Sequence, residues 1–308
     1  MPGTGMIDRR LPSAGVHLAL VITWVTAGAN FLGFKIAVSA LPPFLMMSLR
    51  VGLASVLLLL VLIAMRWPLS RPSFRQCRDA CLSGLLFLVL GQGLIVAGVQ
   101  YVGAGYAALL AATAPLMTAL IAWTFSGHRP RGLALAGILL GLFGLMLLIA
   151  PGLGMPGMTR GIVLILAGTL AWGAGMHHAA TMMRPENALV ATVLQMMPAS
   201  AVLLAMSTLF GELDGFALTS VSLQAWAALA YLIVVGSLLG YSAFVWMLPQ
   251  VTAAVANSFF YVGPVIALLL GWMVLGEVVQ PLELGGAAIT LFGVALMLSS
   301  PWIAREGR

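Results

Sequence analysis

From residue 16 onward the chain alternates long apolar runs with short stretches of Gly, Pro and charge. The runs are of one size, about 20 residues, which is the length a helix rising 1.5 Å per residue needs to cross about 30 Å of hydrocarbon. Cutting at the Pro/Gly clusters and charges predicts ten spanning helices, at 16–38, 43–65, 80–100, 104–126, 132–150, 160–182, 188–210, 223–247, 251–274 and 282–300. Two of the connections are very short, Val102-Gly103-Ala104-Gly105 and Pro249-Gln250-Val251.

Composition agrees with a membrane protein and excludes a soluble one. Hydrophobic residues make up 62% of the chain and charged residues 7%, and the mean hydropathy is +1.10. A soluble domain carries about 25% charged residues, so this chain could not cover a surface facing water. The net charge of +6 would suggest nucleic acid in a soluble protein. Here the basic residues lie between apolar runs, where the positive-inside rule explains them and no nucleic-acid partner is expected. With the N-terminus cytoplasmic, the inside segments hold Arg9, Arg10, Arg66, Arg71, Arg75, Arg78, Arg129, Arg131, Arg184, Arg305 and Arg308, against Arg160 alone outside. Both ends then face the cytoplasm, which needs an even number of spans. Arg9-Arg10 is not followed by a short apolar segment with a cleavage site, so the first run reads as a retained helix. Cys77 and Cys81 lie four apart and read as small helical residues, since two lone thiols close no metal site.

The second half of the chain repeats the first. A shift of 149 aligns Gly103–Leu148 with Thr252–Met297 without a gap, bringing Pro115 onto Pro264, Trp123 onto Trp272 and Gly127 onto Gly276. It also brings Gly137 onto Gly286 and Leu142-Phe143-Gly144 onto Leu291-Phe292-Gly293. In the earlier helices Trp24 and Trp172 are the best anchors. Five helices per half is an odd number, so the second half enters the membrane upside down. That predicts an all-α integral membrane fold of two five-helix inverted-topology repeats, an architecture that supports alternating access with solute bound between the halves. The expected division is a tail at 1–15, repeats at 16–150 and 160–301, an external linker at 151–159 and a tail at 302–308.

These residues resemble a known family. Ten helices in two halves, each with a Pro-containing fourth helix and a Gly-rich fifth, together with Gly276-Glu277, look like the EamA-type branch of the drug/metabolite transporter superfamily. One departure stands in Gly127-His128-Arg129-Pro130, where members often carry a Glu. The resemblance implies a multi-pass protein of the bacterial inner membrane that exports or exchanges small metabolites. Amino-acid exporters, including those for aromatic amino acids, are the nearest in general pattern. Alternatives are a multidrug or lipophilic-cation exporter of the same family and a channel-like protein without alternating access. The implied partners are a small solute and the bilayer, with no cofactor and with monomer and oligomer both open.

Polar groups inside a span are costly, roughly 2.5–3.5 kcal/mol for a charge on insertion scales, so each needs a reason. Arg50 lies about 10 Å deep in the second helix at 1.5 Å per residue. It either snorkels to the interface or faces the central cavity and binds a substrate carboxylate. Lys35, nearer its helix end, is expected to snorkel. On the first helix Thr23 and Asn30 share a face, Trp24 neighbours it, and Ala27-Gly28-Ala29 lets a helix or a solute approach. The sixth helix carries Trp172 at the comparable place, followed by His177 and His178, which either bond between helices or touch substrate or a proton. Gln92, Tyr106, Tyr241, Asn257 and Tyr261 complete the cavity candidates, with Gln92 and Tyr241 equivalent under the 149 shift. A cavity of aromatic and small residues suits a largely apolar solute with a polar end.

The acids sharpen this further. All eight, Asp8, Asp79, Glu186, Glu212, Asp214, Glu277, Glu283 and Glu306, fall in tails, loops or helix ends. The missing mid-span carboxylate favours facilitated diffusion or exchange, or a histidine relay. No metal site is expected. Gly28–Lys35 is a near miss for a phosphate-binding loop, and neither H-E-x-x-H nor G-x-S-x-G occurs, so neither ATP hydrolysis nor intramembrane hydrolysis is signalled. Pro115 and Pro264 should bend their helices at equivalent depths, while Glu277 should cap or pair at a helix connection.

Overall fold

The computed structural model describes residues 14–66, 72–126 and 132–299. Among them every regular element is helical. The segments are α1 (Ala14–Ala37), α2 (Pro43–Ala64), α3 (Phe74–Val99), α4 (Ala104–Ala111 and Ala114–Ser126), α5 (Leu133–Ile149) and α6 (Pro156–Thr181). They continue with α7 (Ala188–Leu209), α8 (Leu223–Met247), α9 (Ala253–Ala256 and Phe259–Leu275) and α10 (Pro281–Leu298). Eight of these are long and apolar enough to cross a membrane, and the main piece of α9 and α10 are shorter apolar helices. Leu60, Ile63, Val163, Leu269, Trp272 and Phe292 project outward and are exposed, as side chains facing lipid tails would be. The two tails, and with them their expected cytoplasmic placement, lie outside the described residues, as does His128.

Helix packing repeats with the sequence. α2 packs on α7, α4 on α9 and α5 on α10, so each of these pairs a helix with its own equivalent. The remaining contacts come in matched sets: α1 with α9 and α6 with α4, α3 with α6 and α8 with α1, α3 with α7 and α8 with α2. A two-fold relation between the halves generates this pattern. At the α5–α10 contact Thr290 Oγ1 donates to the carbonyl of Gly141, its own equivalent 149 residues earlier, at 3.4 Å.

Glycine makes that contact possible. A Cβ on Gly144 would lie 2.4 Å from the Thr290 nitrogen, and one on Gly293 2.4 Å from the Gly141 nitrogen. The backbones therefore touch, and in lipid such close packing supplies association that the hydrophobic effect does not. Gly28 plays the same part between α1 and α9, where a Cβ would lie 2.6 Å from the Gly263 carbonyl. The small run in α1 thus seats another helix.

Two features interrupt regular α-geometry. α3 is π-helical over Leu85–Gly93 and α8 over Leu232–Tyr241, nearly the same segment under the 149 shift. The fourth and ninth helices are broken, but not at the same depth. In α4 the break falls at Ala112-Thr113, just before Pro115, whose missing N–H and ring oppose a helical bond back to Ala111. In α9 the break falls at Asn257-Ser258, while Pro264 lies inside the main piece. The two prolines thus stand differently, Pro115 just past a break and Pro264 within a continuous helical piece. Ser258 Oγ donates back to the Val255 carbonyl at 2.7 Å, the local competition by which short polar side chains end a helix.

Carboxylates fasten the connections. Glu277 follows Gly276, whose φ of 65° closes α9 in the left-handed conformation that favours glycine. Its carboxylate accepts from the backbone N–H groups of Ala104 at 2.7 Å and Gly105 at 3.0 Å, satisfying the start of α4 with negative charge. Glu212 does the same for α2, accepting from Phe44 at 3.1 Å and Leu45 at 2.9 Å. At the opposite face Asp79 Oδ2 accepts from the Met183 N–H at 2.9 Å. Lys35 reaches the connection that closes α3. Its Nζ donates to the carbonyls of Val99, Gln100 and Val102 at 3.0, 3.3 and 2.6 Å, because the end of α3 offers acceptors that lipid does not.

The backbone contact at Gly144 makes a directional prediction. Gly144→Leu should lower the thermal midpoint of detergent-purified protein by several degrees, since overpacking costs about 1–3 kcal/mol or more. Gly285→Ala, where a Cβ meets nothing within 4 Å, should leave the midpoint within about a degree. Equal midpoints for the two variants would remove the glycine contact as a stabilising element.

Candidate solute-binding site

Arg50 is 1% exposed and stands seven residues past the start of α2. Its guanidinium lies between the two π-helical segments. Nε donates to Ser237 Oγ at 2.9 Å and, more distantly, to the Leu232 carbonyl at 3.4 Å, both in α8. Nη1 donates to Gln92 Oε1 in α3 at 2.7 Å and contacts Met47 Sδ at 3.6 Å. The Phe34 ring of α1 lies against the group, 5.0 Å from Cζ to centroid, a cation–π contact. Every one of these partners is neutral. Among the described residues the ion pair formed is Arg78–Asp79 at the edge of the bundle, so Arg50 is a buried cation without an anion. Burial of an unpaired ion costs several kcal/mol after relaxation, and snorkelling does not relieve it here. The alternative of a cation facing inward is the one the coordinates adopt.

Asn30 reaches the same place from α1. A Cβ on Gly236, in the π-helical segment of α8, would lie 2.6 Å from Asn30 Oδ1 and 3.3 Å from Arg50 Nη2. Asn30 Oδ1 is buried and accepts no hydrogen bond. Arg50 Nη2 is the guanidinium nitrogen not engaged by Ser237, Leu232, Gln92 or Met47. A donor and an acceptor thus converge beside a residue with no side chain.

An aromatic layer adjoins this polar one. Trp172 of α6 lies among Phe87 of α3 (ring centroids 4.7 Å apart), Phe244 of α8 (5.5 Å) and Phe260 and Phe259 of α9 (5.8 and 5.9 Å). Tyr241 is 6.1 Å from Phe244. Phe87 and Gln92 stand five residues apart on the π-helical segment of α3, so the two layers adjoin along it. The Trp172 indole also makes a long 3.5 Å contact with Asn257 Oδ1, and the Trp24 indole donates to Ser258 Oγ at 2.8 Å. Both tryptophans that anchor the repeat therefore meet the break in α9.

The other expected residues each make contacts of their own. Tyr241 donates to Gln195 Oε1 of α7 at 2.6 Å, a buried pair between helices. Tyr106 donates to the Leu148 carbonyl at 3.0 Å and ties α4 to α5. Tyr261, whose hydroxyl is buried without a partner, packs beside Leu116, Ile138 and Val294. His178 Nε2 meets the Asp79 carbonyl at 3.2 Å near the end of α6, with His177 half-buried beside it; both lie at the opposite face from the start of α2. Among the described residues no three His, Cys, Asp or Glu side chains gather to hold a metal ion. Ser237, Phe34, Gln195 and the phenylalanines around Trp172 carried no signal as single residues in apolar runs. The pair Gly91 and Gly240, matched by the 149 shift, is the signal that could have pointed to the π-helical segments.

Comparison with known proteins adds identity to this geometry. The EamA-like transporter family matches residues 14–150 and again 159–299. The uncharacterized inner membrane transporter YedA of Escherichia coli strain K12 is 34% identical over 289 residues, 93% of this chain and 90% of that protein. A probable terminal-alkyne amino-acid exporter of Streptantibioticus cattleyicolor is 28% identical, over 91% of this chain and 92% of its own length. A solved crystal structure shares the fold with a TM-score of 0.60 at 18% identity, covering 92% of this chain and 95% of that one. Two matched repeats, a helical bundle with outward apolar side chains and the relatives agree: the chain belongs to the EamA-like transporter family and is a multi-pass transporter of the bacterial inner membrane.

Proposed function

We propose that the protein is a secondary transporter that exports small metabolites with a carboxylate and a largely apolar remainder, amino acids with aromatic or other apolar side chains fitting best. The observation that carries this reading is Arg50, a buried guanidinium with only neutral partners. A carboxylate would supply the missing charge through charge-assisted hydrogen bonds, and the aromatic layer next along α3 would receive the side chain. The relative named as an amino-acid exporter is in keeping with that choice.

Transport is by alternating access, as facilitated diffusion or exchange, through ten spans with both termini cytoplasmic. The matched packing of the halves supports it, since two similar halves of opposite orientation can exchange arrangements. Cross-half contacts gather at both faces. Glu277 and Glu212 hold α4 and α2 at the face where the even-numbered helices begin. Asp79 joins α3 to the end of α6 at the other. The position equivalent to Glu277 is His128, which cannot offer a carboxylate to the start of α9. The two faces are therefore not fastened alike, and Glu277 serves as the latch of the outer one.

Counterflow of labelled amino acid in proteoliposomes tests the substrate. Arg50→Ala should raise the half-saturating concentration about tenfold to a hundredfold, the scale of a lost charge-assisted hydrogen bond. Arg50→Lys should recover part of it. Unchanged uptake by Arg50→Ala, or uptake of lipophilic cations in place of amino acids, would contradict the proposal, and flux without saturable counterflow would favour a channel. For the latch, a cysteine at Ala27 with Cys77 and Cys81 replaced by Ser should react several-fold faster with an external impermeant thiol reagent after Glu277→Gln. An unchanged rate would mean that Glu277 only caps α4.

A further inference from the structure

Asn30 and Gly236 have no use in a site that binds a carboxylate alone. Asn30 Oδ1 is a buried acceptor with no donor, and leaving such a group unsatisfied costs about 1–3 kcal/mol. It lies beside Gly236, as does Arg50 Nη2: a Cβ on that glycine would come within 2.6 Å of Asn30 Oδ1 and 3.3 Å of Arg50 Nη2. An unpaired acceptor and a cationic donor without an anion thus flank the same glycine. Ser237 and Gln92 are occupied by Arg50, and Phe34 covers the guanidinium.

We infer that Asn30 Oδ1 accepts a hydrogen bond from the ammonium group of an α-amino acid whose carboxylate is held by Arg50. This deepens the proposed function and rests on it. The chemistry requires a ligand with its anionic and cationic groups on one carbon. A simple carboxylate would leave Asn30 Oδ1 unpaired, and an amine without a carboxylate would meet the Arg50 charge. Sites built around polar groups reject ligands that leave those groups unpaired far better than apolar pockets reject a change of size. Asn30 is therefore a specificity-determining residue, and the apolar layer sets only the preference among side chains.

The test is ligand-dependent thermal stabilisation of the purified full chain, converted to affinities. The probes are L-phenylalanine and L-leucine, their deamino counterparts 3-phenylpropionate and 4-methylpentanoate, and the amines phenethylamine and isopentylamine. The parent should bind at least one amino acid about tenfold or more tightly than either of its partial analogues, the scale of one hydrogen bond to a charged group. Asn30→Ala should abolish the advantage of that amino acid over its deamino counterpart and leave the deamino affinity within about twofold, a loss confined to one bond. The inference is overturned if parent protein binds the deamino acids as well as the amino acids. It is also overturned if Asn30→Ala weakens both to the same degree, since Asn30 would then merely position Arg50. Binding of the amines alone would sink the carboxylate reading too, whereas retained carboxylate binding without amine discrimination sinks only this one.

Discussion

A guanidinium held out of water without a counter-ion is the constraint around which this bundle is arranged. Arg50 cannot reach the interface, and its neutral partners come from both halves: Gln92 from α3, Ser237 and the Leu232 carbonyl from α8. Those partners lie in the two π-helical segments. A π turn redirects carbonyls and side chains that an α-helix would aim along its axis, and such turns gather at functional sites. The irregular backbone and the buried charge are therefore one arrangement. Each half contributes one wide turn, and a single side chain of α2 joins them.

Symmetry builds the frame, and departures from symmetry make the site. The α5–α10 contact is nearly symmetric, with Gly144 and Gly293 bringing backbones together. The centre is not. Arg50 and Asn30 belong to the first half, while the aromatic layer draws Phe244, Phe259 and Phe260 from the second. The α9 break at Asn257-Ser258 stands one turn away from the place equivalent to the α4 break, and Trp24 and Trp172 both point to it. Identical halves would form a cavity with no preferred ligand orientation. Unequal ones give a polar end and an apolar end.

Much of the fold was legible in the sequence because lipid imposes simple rules. Run length marked the helices to within about six residues, and the 149 shift matched the glycines at which α5 and α10 meet. Acids at run ends read correctly as connection residues, as Glu277 and Glu212 show. Arg50 stood out because a mid-span charge demands a reason, and Gln92 because it is polar. Ser237, Phe34 and the phenylalanines around Trp172 are ordinary in an apolar helix, and only the three-dimensional crossing gives them a role. The position of the α9 break was not legible from Pro264. A proline fixes one residue's geometry, but where the helix breaks depends on the polar side chains that compete for its backbone, here Asn257 and Ser258. The acceptors that Lys35 reaches, the carbonyls closing α3, are distant in sequence and so were not legible there.

The central claim, that Arg50 is a cation awaiting the carboxylate of an amphipathic solute, is tested most directly by an experimental structure with a heavy-atom-labelled amino acid. With 4-bromo-L-phenylalanine bound, the account places the carboxylate within hydrogen-bonding distance of Arg50 Nη2 and the bromine among Phe87, Trp172 and Phe244. A ligand whose carboxylate lies elsewhere, with Arg50 still bonded only to Ser237 and Gln92, would contradict it.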